Sequence, residues 1–218
     1  DGTIEIIKKY EQHITFWISE KDQGQSDALN KGFKHCTGSI YGFLNSDDVY
    51  LPDAFKCSSL VLKKNLDKKV VFGDWLSIDK KNAIIDYNHA FDFNLNHFKY
   101  EGFHLSATSM FWRSEVHKRF SGFDNNLHYT MDYQLILEFG INEGECSFKR
   151  VPKVLAGFRR YEGQKTTGNM DAVVIEEHKM MAERYEYLDK YKLTLKIQCT
   201  SFEFADNITL HLFALFHN

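Results

Sequence analysis

Short runs of branched and aromatic residues alternate with amphipathic segments through the first half of the chain, and this alternation limits the fold more than any other feature. Asp1 can cap a helix reaching about Tyr10, with Ile4, Ile7 and Tyr10 on one face. Thr15-Phe16-Trp17-Ile18-Ser19 reads as a strand, and Glu20 to Gln25 as a polar loop. Ser26 and Asp27 begin an amphipathic helix with Ala28, Leu29, Phe33 and Cys36 available for its inner face, and Thr37-Gly38 stops it. Ser39 to Leu44 gives a buried strand, Pro52 the first turn of a helix through Leu62, and Val70-Val71-Phe72 another strand. Strands joined through helices imply an α/β sheet that is at least partly parallel.

The second half continues less regularly. Trp75 to Asp86 suggests a hairpin about Asp79-Lys80-Lys81-Asn82, Leu105 to Trp112 a strand, Met131 to Phe139 a helix and Val151 to Phe158 a strand. Asp171 to Tyr191 is helical and heavily charged, while Ser201 to Asn218 follows no clear pattern. At 218 residues, 43% hydrophobic and 15% aromatic, the chain can build one sizeable domain or a domain with an appendage. Its net charge of -3 argues against a nucleic-acid binder, which needs a basic surface to neutralise phosphates.

Cys36, Cys57, Cys146 and Cys199 form no CxxC pair, so a reducing, cytoplasmic setting is expected. No stretch is apolar enough to span a bilayer, although Ile208 to Phe216 suits peripheral contact with one. His89, His97 and His104 lack metal-ligand spacing. The chain enters its first helix at once, which suggests that a preceding strand is missing.

Within "YGFLNSDDVYLPDAF", residues 41–55, an apolar run breaks into Asn45, Ser46, Asp47 and Asp48. Ligands gather beyond the carboxyl ends of strands in such sheets. Two adjacent carboxylates there suit a divalent cation shared with phosphate oxygens. The alternative is that Ser46 or Asp48 caps the following helix.

The order Asp1-Gly2-Thr3, Glu20/Asp22/Gly24/Gln25, Ala28-Leu29-Asn30/Gly32 and Ser46-Asp47-Asp48 resembles the family-two glycosyltransferases of the GT-A fold. The likeness continues through Phe72-Gly73-Asp74, "SATSMFWRSEV", "SGFDNNLHYTMDYQLILEF" and "GFRRYEGQKT", covering about residues 1–167. It implies a GT-A-like, Rossmann-related α/β domain over residues 1–170, with a mostly parallel sheet flanked by helices, and a C-terminal helical extension over 171–218. The activity it implies is inverting transfer of a sugar from a nucleotide-diphosphate sugar, a UDP-sugar by preference, to a glycan or lipid-linked acceptor in polysaccharide biosynthesis. Two alternatives stand beside it: a truncated or degenerate domain that binds carbohydrate or a partner, and a nucleotidyltransferase of similar fold.

Carried over from the family, Asp48 would ligate Mg²⁺ or Mn²⁺, and Asp47 would contact the ribose or complete the metal shell. Asp22 and Gln25 would line the nucleotide pocket, and Asp74 would touch the donor sugar. Arg159 and Lys165 would hold the diphosphate from a loop containing Gly163 and Gly168. Asp132 would be the general base, with an N-cap role as its alternative. Tyr161 stands where the family usually has histidine.

Overall fold

The computed structural model describes residues 2–165 and 171–187. Helix α1 (Thr3–Lys9) and a 3-10 turn lie on the surface and bury none of their residues. Helix α2 (Gln25–Lys34) starts one residue earlier than Ser26, because Gly24 takes the cap position at φ 119° and ψ -178°, a region open essentially to glycine. Two short strands, β1 (Ile40–Tyr41) and β2 (Val49–Tyr50), precede helix α3 (Ala54–Lys64). The long strand β3 (Val70–Ile78) turns through residues 79–83 into β4 (Ile84–Asn88). Helix α4 (Leu95–Glu101), strand β5 (Met110–Arg113) and helix α5 (Ser114–His117) follow. Helix α6 (Met131–Glu143), strand β6 (Phe148–Arg159) and helix α7 (Asp171–Arg184) complete the described elements.

The sheet runs β1-β5-β3-β6-β2. Strand β6 accompanies β3 along one edge, while β5 and β4 share the other, β5 at the start of β3 and β4 at its end. Alternate side chains serve opposite faces, as strand geometry requires. Val70, Phe72, Met110 and Trp112 join the larger core with α6, while Val71 and Phe111 join the smaller one under α3. Phe72, Trp112, Tyr133 and Phe139 are buried in the larger core, and each large apolar side chain so placed contributes about 1.5–3 kcal/mol. The β3–β6 register shifts beside Gly73, where a Cβ would meet the Lys153 carbonyl oxygen at 2.4 Å. Only glycine admits that approach.

Several expectations need correction. The α/β class holds, but the sheet is mixed, not mostly parallel: β3–β6 is parallel and the other four described pairings are antiparallel. Strands β1 and β3 do point the same way, as helical connections favour; β5 inserts antiparallel between them. Thr15 to Ser19 forms no strand: it pairs with no described strand, and Phe16 stacks on His35. Ser39 to Leu44 shortens to β1 because the Phe43 carbonyl accepts the Tyr50 hydroxyl instead of a ladder partner. The Leu105 to Trp112 strand begins only at Met110, after a 3-10 turn at Ala107–Ser109. Helix α7 ends at Arg184, short of the expected Tyr191, and residues 185–186 form a turn; residues 188–218 of the expected extension, including the apolar stretch Ile208 to Phe216, lie outside the described residues. Among the described residues no helix is long and apolar enough to cross a membrane.

Candidate active site

Asn45 to Asp48 closes a tight turn between β1 and β2, with the Asp48 N–H donating to the Asn45 carbonyl at 3.1 Å. The two carboxylates take different partners. Asp48 turns inward and is 5% exposed. Its Oδ1 accepts the Arg159 N–H at 2.9 Å, and its Oδ2 accepts Asn45 Nδ2 at 3.2 Å and Thr108 Oγ1 at 3.4 Å. Burial pushes the Asp48 carboxyl above its ordinary range, the Asp47 charge adds to this, and the hydrogen bonds oppose it. Asp47 faces outward, where its Oδ2 accepts the Tyr161 hydroxyl at 3.1 Å. Neither Ser46 nor Asp48 caps α3: its N-cap residue is Asp53, without a side-chain cap bond.

Arg159, the last residue of β6, ties this turn to the β3–β4 hairpin. Its Nε donates to the Asp47 carbonyl at 2.6 Å, Nη1 to the Asp79 carbonyl at 2.5 Å and Nη2 to Asn82 Oδ1 at 2.8 Å. The guanidinium is thereby committed to protein acceptors. The exposed cation beside the two carboxylates is instead Lys80, whose Nζ lies 5.6 Å from the centre of the Tyr161 ring. A cavity of about 320 Å³ collects Asp47, Asp48, Lys80, Arg159 and Tyr161.

A second cavity, about 430 Å³, shares Ser46, Asp47 and Tyr161 with the first and extends to Gln25, Tyr129, Asp132 and Lys165. Asp132 sits inside the first turn of α6, whose N-cap is Thr130, so it is not the cap residue. Its Oδ1 accepts the Tyr133 N–H at 2.8 Å. Burial raises the Asp132 carboxyl to about 6, with the Glu177 charge pushing the same way and Lys165 opposing. A carboxyl tuned to that range takes a proton near neutral pH more readily than an ordinary aspartate does. Gln25 bridges the mouth, donating from Nε2 to Asn45 Oδ1 at 2.8 Å and accepting Lys165 Nζ at Oε1 at 3.2 Å. Burial lowers the Lys165 pKa, against the nearby charges of Glu177 and Asp132.

Gln25, Asp47, Asp48, Asp132, Arg159 and Lys165 thus come together around two adjoining cavities. Asp22 and Asp74 do not line them. Asp22 accepts the Gly24 N–H at 3.0 Å in the loop before α2. Asp74 is buried, accepting Arg150 Nη2 at 2.9 Å, the Ala90 N–H at 3.0 Å and the Tyr87 hydroxyl. Burial alone would raise the Asp74 carboxyl, but these donors leave it below its ordinary value. Lys80, Thr108, Tyr129 and the role of Tyr161 escape a sequence reading, because each depends on which distant turns meet. Among the described residues no three His, Cys, Asp or Glu side chains cluster closely enough to form a metal site by themselves.

The sequence and the fold have counterparts. A family model described as glycosyl transferase family 2 matches residues 1–123. Uncharacterized glycosyltransferases of Rickettsia typhi and Rickettsia prowazekii are each 29% identical over 152 residues, 64% of this chain. The chain spans 46% of the length of each of them. A crystal structure of S. aureus TarS 1-349 in complex with UDP-GlcNAc superposes with a TM-score of 0.58 and 15% identity over 77% of this chain and 49% of that one. The same TarS chain in complex with UDP gives a TM-score of 0.54 at 14% identity, over 73% of this chain and 48% of that one. At these identities the superpositions speak to the fold, which is that of GT-A enzymes. Because the family model spans more than half of the sequence, the chain belongs to glycosyl transferase family 2.

Proposed function

We propose that this chain carries the catalytic part of an inverting glycosyltransferase that moves a sugar from a UDP-sugar to a hydroxyl of a glycan or lipid-linked acceptor. The observation that most supports it is the pair of adjoining cavities, with Asp48 on one side, Asp132 on the other, and Asp47 and Tyr161 common to both. In this reading the nucleoside diphosphate occupies the Asp47–Lys80 side and the acceptor hydroxyl approaches Asp132. The hydroxyl oxygen attacks the anomeric carbon as its proton passes to an Asp132 carboxylate oxygen, and the bond from that carbon to the diphosphate oxygen breaks. Lys80 and Lys165 offer positive charge to the departing diphosphate.

The donor set at the 45–48 turn fits Mg²⁺ or Mn²⁺, which take hard oxygens and commonly use one or two carboxylates plus phosphate. Asp48 would be the first ligand, its 3.4 Å contact with Thr108 being the weakest of its bonds. Asp47 Oδ1, which carries no hydrogen bond from the described residues, is available beside it. Such an ion supplies charge against the leaving diphosphate. The test is calorimetric titration of the intact gene product with UDP, with and without Mn²⁺. Metal-dependent binding that Asp48→Ala abolishes is expected; nucleotide binding indifferent to metal, or none at all, would sink the proposal. UDP-GlcNAc, the ligand of the TarS complex, is the first donor to try.

A further inference from the structure

Helix α7 sends one carboxylate into the back of the cleft. Glu177 is 2% exposed and takes the N–H groups of three consecutive residues in the loop before α6. His128 donates to its Oε1 at 2.6 Å, and Tyr129 and Thr130 donate to its Oε2 at 3.0 and 2.9 Å. The Thr130 hydroxyl adds a bond to Oε2 at 2.8 Å. Among the described residues no lysine or arginine forms an ion pair with Glu177, so neutral donors offset the cost of burying its charge. Three successive N–H groups converge on one point only when the loop holds a single backbone shape. His128 and Tyr129 line the larger cavity, Thr130 is the N-cap of α6, and Asp132 follows two positions later.

We propose that Glu177 is a positioning residue for sugar transfer: it anchors the 128–130 backbone from behind and so fixes both the cleft wall and the direction of the Asp132 carboxylate. This rests on the reading of Asp132 as the base. The same charge has a second effect on Asp132. From α7, Glu177 favours its protonated form, while Lys165, beyond β6, opposes this. His128 and Tyr129 from the loop, Tyr161 beyond β6 and Asp47 from the 45–48 turn are the other titratable groups around the cavity.

Glu177→Gln keeps the shape of the side chain and one acceptor but removes the charge. In the intact gene product, with the UDP-sugar hydrolysed fastest among UDP-GlcNAc, UDP-glucose and UDP-galactose, kcat is expected to fall about 10- to 100-fold, the scale of cost for a misplaced reacting group. The donor KM should stay within about twofold, and the acid limb of the pH profile should move to lower pH. Amide exchange at residues 128–130 should quicken about tenfold or more in the same variant. Thr130→Val, which removes one donor and leaves the Glu177 charge in place, should lower kcat and quicken exchange at 128–130 by less, without moving the acid limb to lower pH, and it serves if the glutamine variant does not fold.

Unchanged kcat with unchanged exchange at 128–130 would overturn the proposal. So would a uniform loss of protection across the chain, the mark of a merely structural residue. Asp132→Asn separates this from the underlying reading. Its full activity would remove the base assignment, whereas slow exchange at 128–130 in that variant, made fast by adding Glu177→Gln, supports the anchor on its own.

Discussion

At Asp132 stability and chemistry pull in opposite directions. Burial holds its carboxyl near 6 in the folded chain against an ordinary 3.8, so the folded protein binds the proton more tightly than the unfolded chain. The sign follows: below about pH 4 the residue costs nothing, between 4 and 6 the cost grows, and above 6 it is fully present. Asp132→Asn should therefore raise the melting temperature at pH 7–8, corresponding to on the order of 1–2 kcal/mol once partial exposure is allowed for, and leave it unchanged near pH 4. Thermal melts across that range check it. With Asp132 as the proposed base, the same substitution should lower transfer about 100-fold or more, and the wild-type rate should fall as pH drops through about 6, where its carboxyl becomes protonated.

Which residues gather at the candidate cleft is partly legible in the sequence, because Gln25, Asp47, Asp48 and Asp132 stand in ordered motifs that resemble a family pattern. Arg159 and Asp74 read as ligand contacts for the same reason. Yet their side chains serve the frame, and no local pattern reveals a partner 77 or 76 positions away.

Among elements, the junction of β6 with the 45–48 turn and the β3–β4 hairpin carries the most consequence. Arg159 joins the three by one backbone and three guanidinium hydrogen bonds. Arg159→Met keeps the length of the side chain and removes the guanidinium bonds. It should cost about 2–4 kcal/mol by urea unfolding, since bonds to charged groups contribute about 1.5–3 each and are not additive. Nucleotide binding should weaken with it, because Asp47 loses the contact that holds its backbone. Gly73→Ala should also destabilise, by about 1–3 kcal/mol, as its Cβ must displace the Lys153 backbone at the register shift.

The hairpin is foreshadowed by its Asp79 to Asn82 turn residues, and α6 by its dense apolar run. The shortness of β1, and β2 altogether, are not, because their pairing depends on β5 and β6, which lie more than 60 positions downstream. Propensity has no access to that information.

For the whole molecule, α7 decides how firmly the cleft is backed. Met181 packs in the larger core, Arg184 pairs with Asp124, and the Tyr185 hydroxyl meets Glu138 on α6. Shortening the intact gene product so that it ends at residue 165 should lower its unfolding midpoint and speed amide exchange in the first turn of α6 more than in β3. Chemical denaturation with hydrogen exchange distinguishes this from uniform weakening. The α/β class is visible in the alternation of the first half, whereas the antiparallel insertion of β5 is not. Insertion order depends on which edges remain free as the sheet assembles, and one chain's hydrophobic pattern does not record that.

The short run from Arg159 to Lys165 has an implication for anyone wishing to re-engineer the chain. It begins at the backbone N–H that grips Asp48, passes Tyr161 against Asp47, and finishes at Lys165 over the Tyr129 ring and beside Gln25. Seven positions thus form a single thread sewn through both halves of the cleft. Grafting this segment from a relative to alter the Asp132 side of the cleft would also alter the residues around Asp47 and Asp48. Under the proposed function the specificities for acceptor and nucleotide are inherited together, and a library that varies one must rescreen the other.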